Sequence, residues 1–235
     1  MKLATGIDKN VTHSQPTSQQ SLGQESASPD RSEDSDSPAE APDPHTDQEL
    51  YSDWTSSAGN QLENNLSDSR WQPVLESARP HCLSLADKFA NILQIKNFSV
   101  SILWTDDAEM AQLNSQFRQK DGATNILSFP AFDSLPDGGP DSGPDSGLKP
   151  PVFLGDMALG FETLSREAGQ NQRPVEHHLA HLFLHGLLHL AGFDHQEPAE
   201  AEQMETLEIQ LLSEIDIPDP YHFASDEEGE INAHV

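Results

Sequence analysis

Apolar residues are scattered through positions 1 to 68 and become periodic from about Ser69 onward. Ser, Gln, Asp, Pro, Glu and Asn dominate the first stretch, and such a segment buries too little apolar surface to offset the entropy of ordering it. Residues 1–68 are therefore expected to be a disordered polar and acidic tail. From Trp71 to Leu93, Val74, Leu75, Ala78, Cys82, Leu85 and Phe89 recur at steps of three and four, which predicts an amphipathic helix that Pro80 kinks or divides. Phe98 to Trp104 alternates apolar and small polar residues, the pattern of a half-buried strand. Thr105 is the expected N-cap of the next helix, with Asp106 and Asp107 in its first turn and Met110, Leu113 and Phe117 on its apolar face.

Asn125 to Pro130 and Val152 to Leu159 read as two further strands. Between them the tandem Pro140-Asp141-Ser142-Gly143 and Pro144-Asp145-Ser146-Gly147 predicts a flexible insertion over 132–151. A short helix is expected over Glu162 to Ala168. A strongly apolar helix follows from Val175 to Ala191, and a last one from Pro198 to Leu212, each opened by a proline. The ordered part, 69–217, spans about 150 residues, enough for one core. Residues 218–235 form an acidic tail expected to fray.

Charge narrows the function classes. Twelve Lys and Arg stand against 40 Asp and Glu, a formal net charge of −28, and residues 69–217 alone remain near −13, with 22 acids against nine bases. General polyanion coating depends on Lys and Arg neutralising phosphates, so a DNA-coating role is not expected, while a local basic site remains open. The single cysteine, Cys82, excludes an internal disulfide, and from the apolar pattern neither a signal peptide nor a membrane-spanning run is expected. A soluble, cytoplasmic protein is expected.

Six of the 11 histidines lie between His177 and His195, in a segment otherwise rich in Leu, Ala and Phe. On a helix, His178, His181, His185 and His189 project within a sector of about 80°. His185 and His189 are one turn apart and can reach one cation; Gly192 can end the helix in a left-handed cap and return His195 to the same ion. His181 and His185 share the same spacing, but His181 lies a further turn from the cap, so a supporting role is expected for it. Asp194 either orients an imidazole or serves the turn. Three histidines leave a fourth position open, the arrangement of a catalytic zinc in a hydrolase. The spacing also fits H-E-x-x-H-x-x-G-x-x-H proteases, but Gly186 stands where those enzymes carry their glutamate base, which disfavours a peptidase.

The run His185-Gly186-Leu187-Leu188-His189-Leu190-Ala191-Gly192-Phe193-Asp194-His195 resembles the hallmark of the YbeY family of metal-dependent endoribonucleases and rRNA maturation factors at every position. Leu113 to Arg118, Lys120-Asp121, Thr124 to Pro130 and Leu154 to Met157 extend the resemblance, as do Met204, Glu208 and Leu212 with less specificity. It implies a zincin-like α+β single domain, a mixed β-sheet packed with helices, and one zinc held by His185, His189 and His195. It further implies single-strand-specific RNA cleavage in maturation of the 16S rRNA 3′ end and in ribosome quality control, with ribosomal RNA and the small ribosomal subunit as partners. Arg118 takes the place of the family arginine and is expected to hold a phosphate, joined more weakly by Lys120; Ser128 is expected to support its strand. No general base stands out. Two other functions fit less well: a ribosome assembly factor with a structural zinc, and a metallohydrolase acting on peptides or small molecules.

Overall fold

A computed structural model describes residues 52–95, 97–132 and 150–222. The expected tail over 1–51, most of the insertion, and the end after 222 lie outside the described residues. Five strands, β1 (Trp54–Thr55), β2 (Gln61–Leu66), β3 (Phe98–Thr105), β4 (Ile126–Pro130) and β5 (Val152–Gly160), form one mixed sheet in the order β1-β2-β3-β5-β4. The three central strands are parallel, and both outer strands run antiparallel to their neighbours. Five helices accompany it: α1 (Gln72–Ile92), α2 (Asp107–Arg118), α3 (Phe161–Gln170), α4 (Val175–Leu190) and α5 (Pro198–Ser213). The architecture is a single α+β domain.

Side-chain alternation on the strands divides the core in two. Ile102, Trp104, Met157 and Leu159 face the larger cluster with Leu75, Leu85 and Phe89 of α1 and Leu179, Phe183 and Leu187 of α4. Ala158 and Leu127 face the other way, against Met110 of α2. The sheet is thus covered on both faces around β5, which carries Asp156 as its one charged residue and is buried from Leu154 to Gly160. Pro80 neither kinks α1 into two helices nor ends it: Leu75 and Ala78 before it, and Cys82, Leu85 and Phe89 after it, pack on the same core and carry the helix through. The N-cap of α2 falls one residue later than expected, where the Asp106 carboxylate accepts the Glu109 N–H at 2.8 Å. Thr105 stays in β3.

Both domain boundaries move outward. Residues 54–66, assigned to the tail from composition, supply β1 and β2, with Trp54 and Leu62 fully buried. Their polar neighbours are structural: Asn60 Oδ1 accepts the Phe98 N–H at 3.2 Å, and Asn64 Oδ1 accepts Trp104 Nε1–H at 2.9 Å. At the other end, Arg173 Nη2 donates to the carbonyls of Asp219 (3.1 Å) and His222 (2.8 Å), so residues 218–222 fold back onto the domain. No helix among the described residues is long and apolar enough to cross a membrane.

Candidate metal centre and anion cleft

The site lies where the C-terminal half of α4 crosses β4. Close approach of these elements depends on Gly186: a Cβ there would overlap Met157 Sδ and lie 2.8 Å from Ile126 Cδ1 and 3.3 Å from Ser128 Oγ. Glycine thus lets the helix lie against the sheet, and a glutamate would have nowhere to go.

At its end α4 closes in a Schellman motif. Gly192 takes φ +93°, its N–H reaches the His189 carbonyl at 3.0 Å, and Phe193 N–H reaches the Leu188 carbonyl at 3.0 Å. The reversal brings His195 beside the helix, with ring centroids 5.6 Å from His185 and 5.0 Å from His189. One ligand atom from each of the three histidines lies within 4.8 Å of the others, and His185 Nε2 is 3.0 Å from His189 Nε2.

The partners of the opposite ring nitrogens settle the tautomers. His185 Nδ1 is 2.9 Å from Glu208 Oε1, and His189 Nδ1 is 3.0 Å from the Phe193 carbonyl oxygen. Burial alone would raise the Glu208 carboxyl, but hydrogen bonds from His181, His185 and Tyr221 outweigh it and bring the pKa down to about 2. A carboxylate and a carbonyl only accept, so both Nδ1 atoms carry hydrogen, and the Nε2 atoms of the two rings are the ones that face each other. Burial, then the neighbouring His185 and His195, lower His189 to about 4, so its neutral form prevails near pH 7. Two nitrogens 3.0 Å apart can share a proton or, in its place, a metal cation. Tetrahedral zinc with Zn–N bonds of 2.0–2.1 Å separates its nitrogens by about 3.4 Å, close to the 3.0 Å between His185 and His189 and inside the 4.8 Å that encloses all three ligand atoms. The donor set fits such an ion.

Above the triad opens a cleft of about 760 Å³, walled by Arg118, Lys120, Asn125 and Ser128. Arg118 stands at the end of α2, and its Nη2 donates to the Ser128 carbonyl at 3.0 Å, which braces the guanidinium against β4. Elsewhere among the described residues Arg70 pairs with Asp68 and Glu162, Lys88 with Glu214 and Arg166 with Asp107. The cleft is where cations face a cavity that the histidines also line.

Of the remaining sequence candidates, His181 stands outside the triad, its Nε2 3.1 Å from Glu208 Oε2. Asp194 serves the turn, accepting the His195 N–H at 2.8 Å and the Gln196 amide at 2.7 Å. Ser128 is buried in β4. From the sequence Glu208 is only a weak point of resemblance and Tyr221 belongs to the acidic tail. The signal for Glu208 was present: it is a charged residue on the buried face of α5, one turn after Met204 and one before Leu211 and Leu212.

Three imidazoles with an open side, below an arginine-walled cleft, define a metal-capable hydrolase site suited to an anionic substrate. The family model for endoribonuclease YbeY matches residues 61–216, and the chain belongs to that family. It is 52% identical over 123 residues to endoribonuclease YbeY of Chelativorans sp. (strain BNC1), covering 52% of this chain and 69% of the relative. It is 44% identical over 128 residues to that of Bradyrhizobium sp. (strain BTAi1), covering 54% and 72%. The solution structure of TM1509 from Thermotoga maritima aligns over 67% of this chain and 97% of its own, with 20% identity and a TM-score of 0.40.

Proposed function

We propose that this endoribonuclease is zinc-dependent and single-strand-specific, and that it matures the 3′ end of 16S rRNA and serves ribosome quality control in the cytoplasm, acting on the small ribosomal subunit. The convergence of His185, His189 and His195 beneath Arg118 carries the reading. Zinc held by the three histidines would supply Lewis acidity and lower the pKa of a bound water to about 7.

The chain's own residues do the rest. Glu208 and the Phe193 carbonyl keep two imidazoles in the ligating tautomer. Arg118, braced by Ser128, presents its remaining N–H groups to a phosphate, and a planar guanidinium can grip two phosphate oxygens at once. Lys120 adds charge at the same wall. With few cations elsewhere on a chain of net charge −28, RNA is gripped locally at the scissile phosphate and not along an extended track.

The overlap of any Gly186 side chain with Met157 leaves the protease-type base without a place, which disfavours a peptidase. A purely structural zinc is disfavoured by the open fourth side. The test is direct. Replacing His185 and His189 together is expected to release about one equivalent of zinc, and cells carrying His185→Ala should accumulate 16S rRNA with unprocessed 3′ ends. Normal ends in those cells would refute the rRNA role; full zinc retention would refute the site.

A further inference from the structure

Glu208 is the most completely buried carboxylate of the described residues, with no accessible surface, yet it sits on no strand or loop of the cleft. It projects from α5 into three donors drawn from two other parts of the chain. Oε1 faces His185 Nδ1 at 2.9 Å; Oε2 faces His181 Nε2 at 3.1 Å and also accepts the Tyr221 hydroxyl. Tyr221 also lays its ring edge-on to His181, with centroids 5.6 Å apart. It comes from beyond residue 216, where the family match ends.

A buried charge is tolerated only when its acceptor sites are filled. Here each partner does a different job. His181 and Tyr221 satisfy one oxygen, which leaves the other for His185. The His185 imidazole is thereby held in the Nδ1–H form, whereas a free histidine side chain favours Nε2–H, the form that cannot ligate through Nε2. We infer that Glu208 is the positioning residue of the metal centre: it sets the tautomer and ring orientation of His185, with His181 and the C-terminal segment through Tyr221 completing its own coordination. The inference rests on the three-histidine metal reading and adds to it a residue 13 positions beyond the last histidine of the motif.

Zinc affinity, measured by competition with a chromophoric chelator, tests it together with the His185 tautomer in the metal-free full chain, read from two-bond nitrogen–proton correlations. Glu208→Ala is expected to weaken zinc binding about 10- to 100-fold and to switch His185 to Nε2–H. Glu208→Gln keeps shape and one acceptor but no charge, so it should fall between Glu208→Ala and the parent. Wild-type affinity in either folded variant, or an unchanged tautomer in Glu208→Ala, overturns the proposal. Should Glu208→Ala not fold, the Gln variant decides alone. His189→Ala serves as the control that separates the two readings: if it also keeps zinc, the three-histidine site is wrong; if it loses zinc while both Glu208 variants bind normally, only the role of Glu208 is wrong.

Discussion

Gly186→Ala sets two familiar effects against each other. In an exposed helix, alanine in place of glycine gains about 1 kcal/mol from reduced backbone freedom in the unfolded chain. At residue 186 the added methyl would overlap Met157 Sδ and press on Ile126 Cδ1 at 2.8 Å. Met157 is flexible but fully buried on a central strand, so moving it displaces other core atoms. Overpacking of this kind costs about 1–3 kcal/mol, and three neighbours at once place it near the upper end. The expected net loss is about 2 kcal/mol, or roughly 4–8 °C in melting temperature for a domain of this size. Relief comes only by shifting α4 outward, which carries His185 and His189 with it, so zinc affinity should fall as well. Calorimetry of the metal-free protein and chelator competition check both parts. A variant that melts higher than the parent and binds zinc equally well would refute the packing argument.

Arg118→Lys keeps the charge but loses the planar fork, and a lost charge-assisted hydrogen bond of about 1.5–3 kcal/mol predicts a drop in kcat/KM of about 10- to 100-fold with zinc content unchanged; near-normal turnover would remove Arg118 from phosphate binding. Because Arg118 and Lys120 are the cations lining the cleft, the affinity for single-stranded RNA should fall with log salt at a slope of only about −1.4, from 0.7 per phosphate; a slope several times steeper would reveal a longer track. Burial, with His185 and His195 nearby, lowers His189 in the fold, so the unfolded chain binds its proton more readily. The metal-free protein should therefore keep full stability above about pH 6.5 and lose it as pH falls toward 4. Zinc affinity should decline over the same window. A denaturation midpoint flat across that range would contradict the assignment. Tyr221→Phe removes a donor from a buried carboxylate and should lower stability by about 1–2 kcal/mol, read as a shift in urea midpoint without change in slope.

What the chain discloses in one dimension depends on how local each feature is. His185, His189 and His195 were legible because a helix turn and a tight reversal bring them together within 11 residues. The helices were legible from their three- and four-residue steps, including α1, whose proline the pattern overweighted. β1 and β2 escaped because two residues make no period, and because β2 is held by Asn side chains that composition reads as solvated. Arg118 entered by resemblance and by chemistry, but its approach to the histidines requires β4 to pair antiparallel to β5, which is not a local property. Glu208 lies 23 residues from His185 and meets it only because α5 packs across α4. Its place among Met204, Leu211 and Leu212 would have marked it as buried, though not as a partner of that histidine.

The Schellman closure of α4 uses the same few atoms as the metal centre: the peptide that turns at Gly192 delivers the Phe193 carbonyl to His189 and sends the chain on to His195. The last turn of one helix is therefore also a latch. While Gly192 keeps its left-handed geometry, His189 stays aimed at the site and the chain is led on to His195. A change that loosens this turn would therefore disturb two of the three ligands at once, His189 through its carbonyl partner and His195 through the path of the chain.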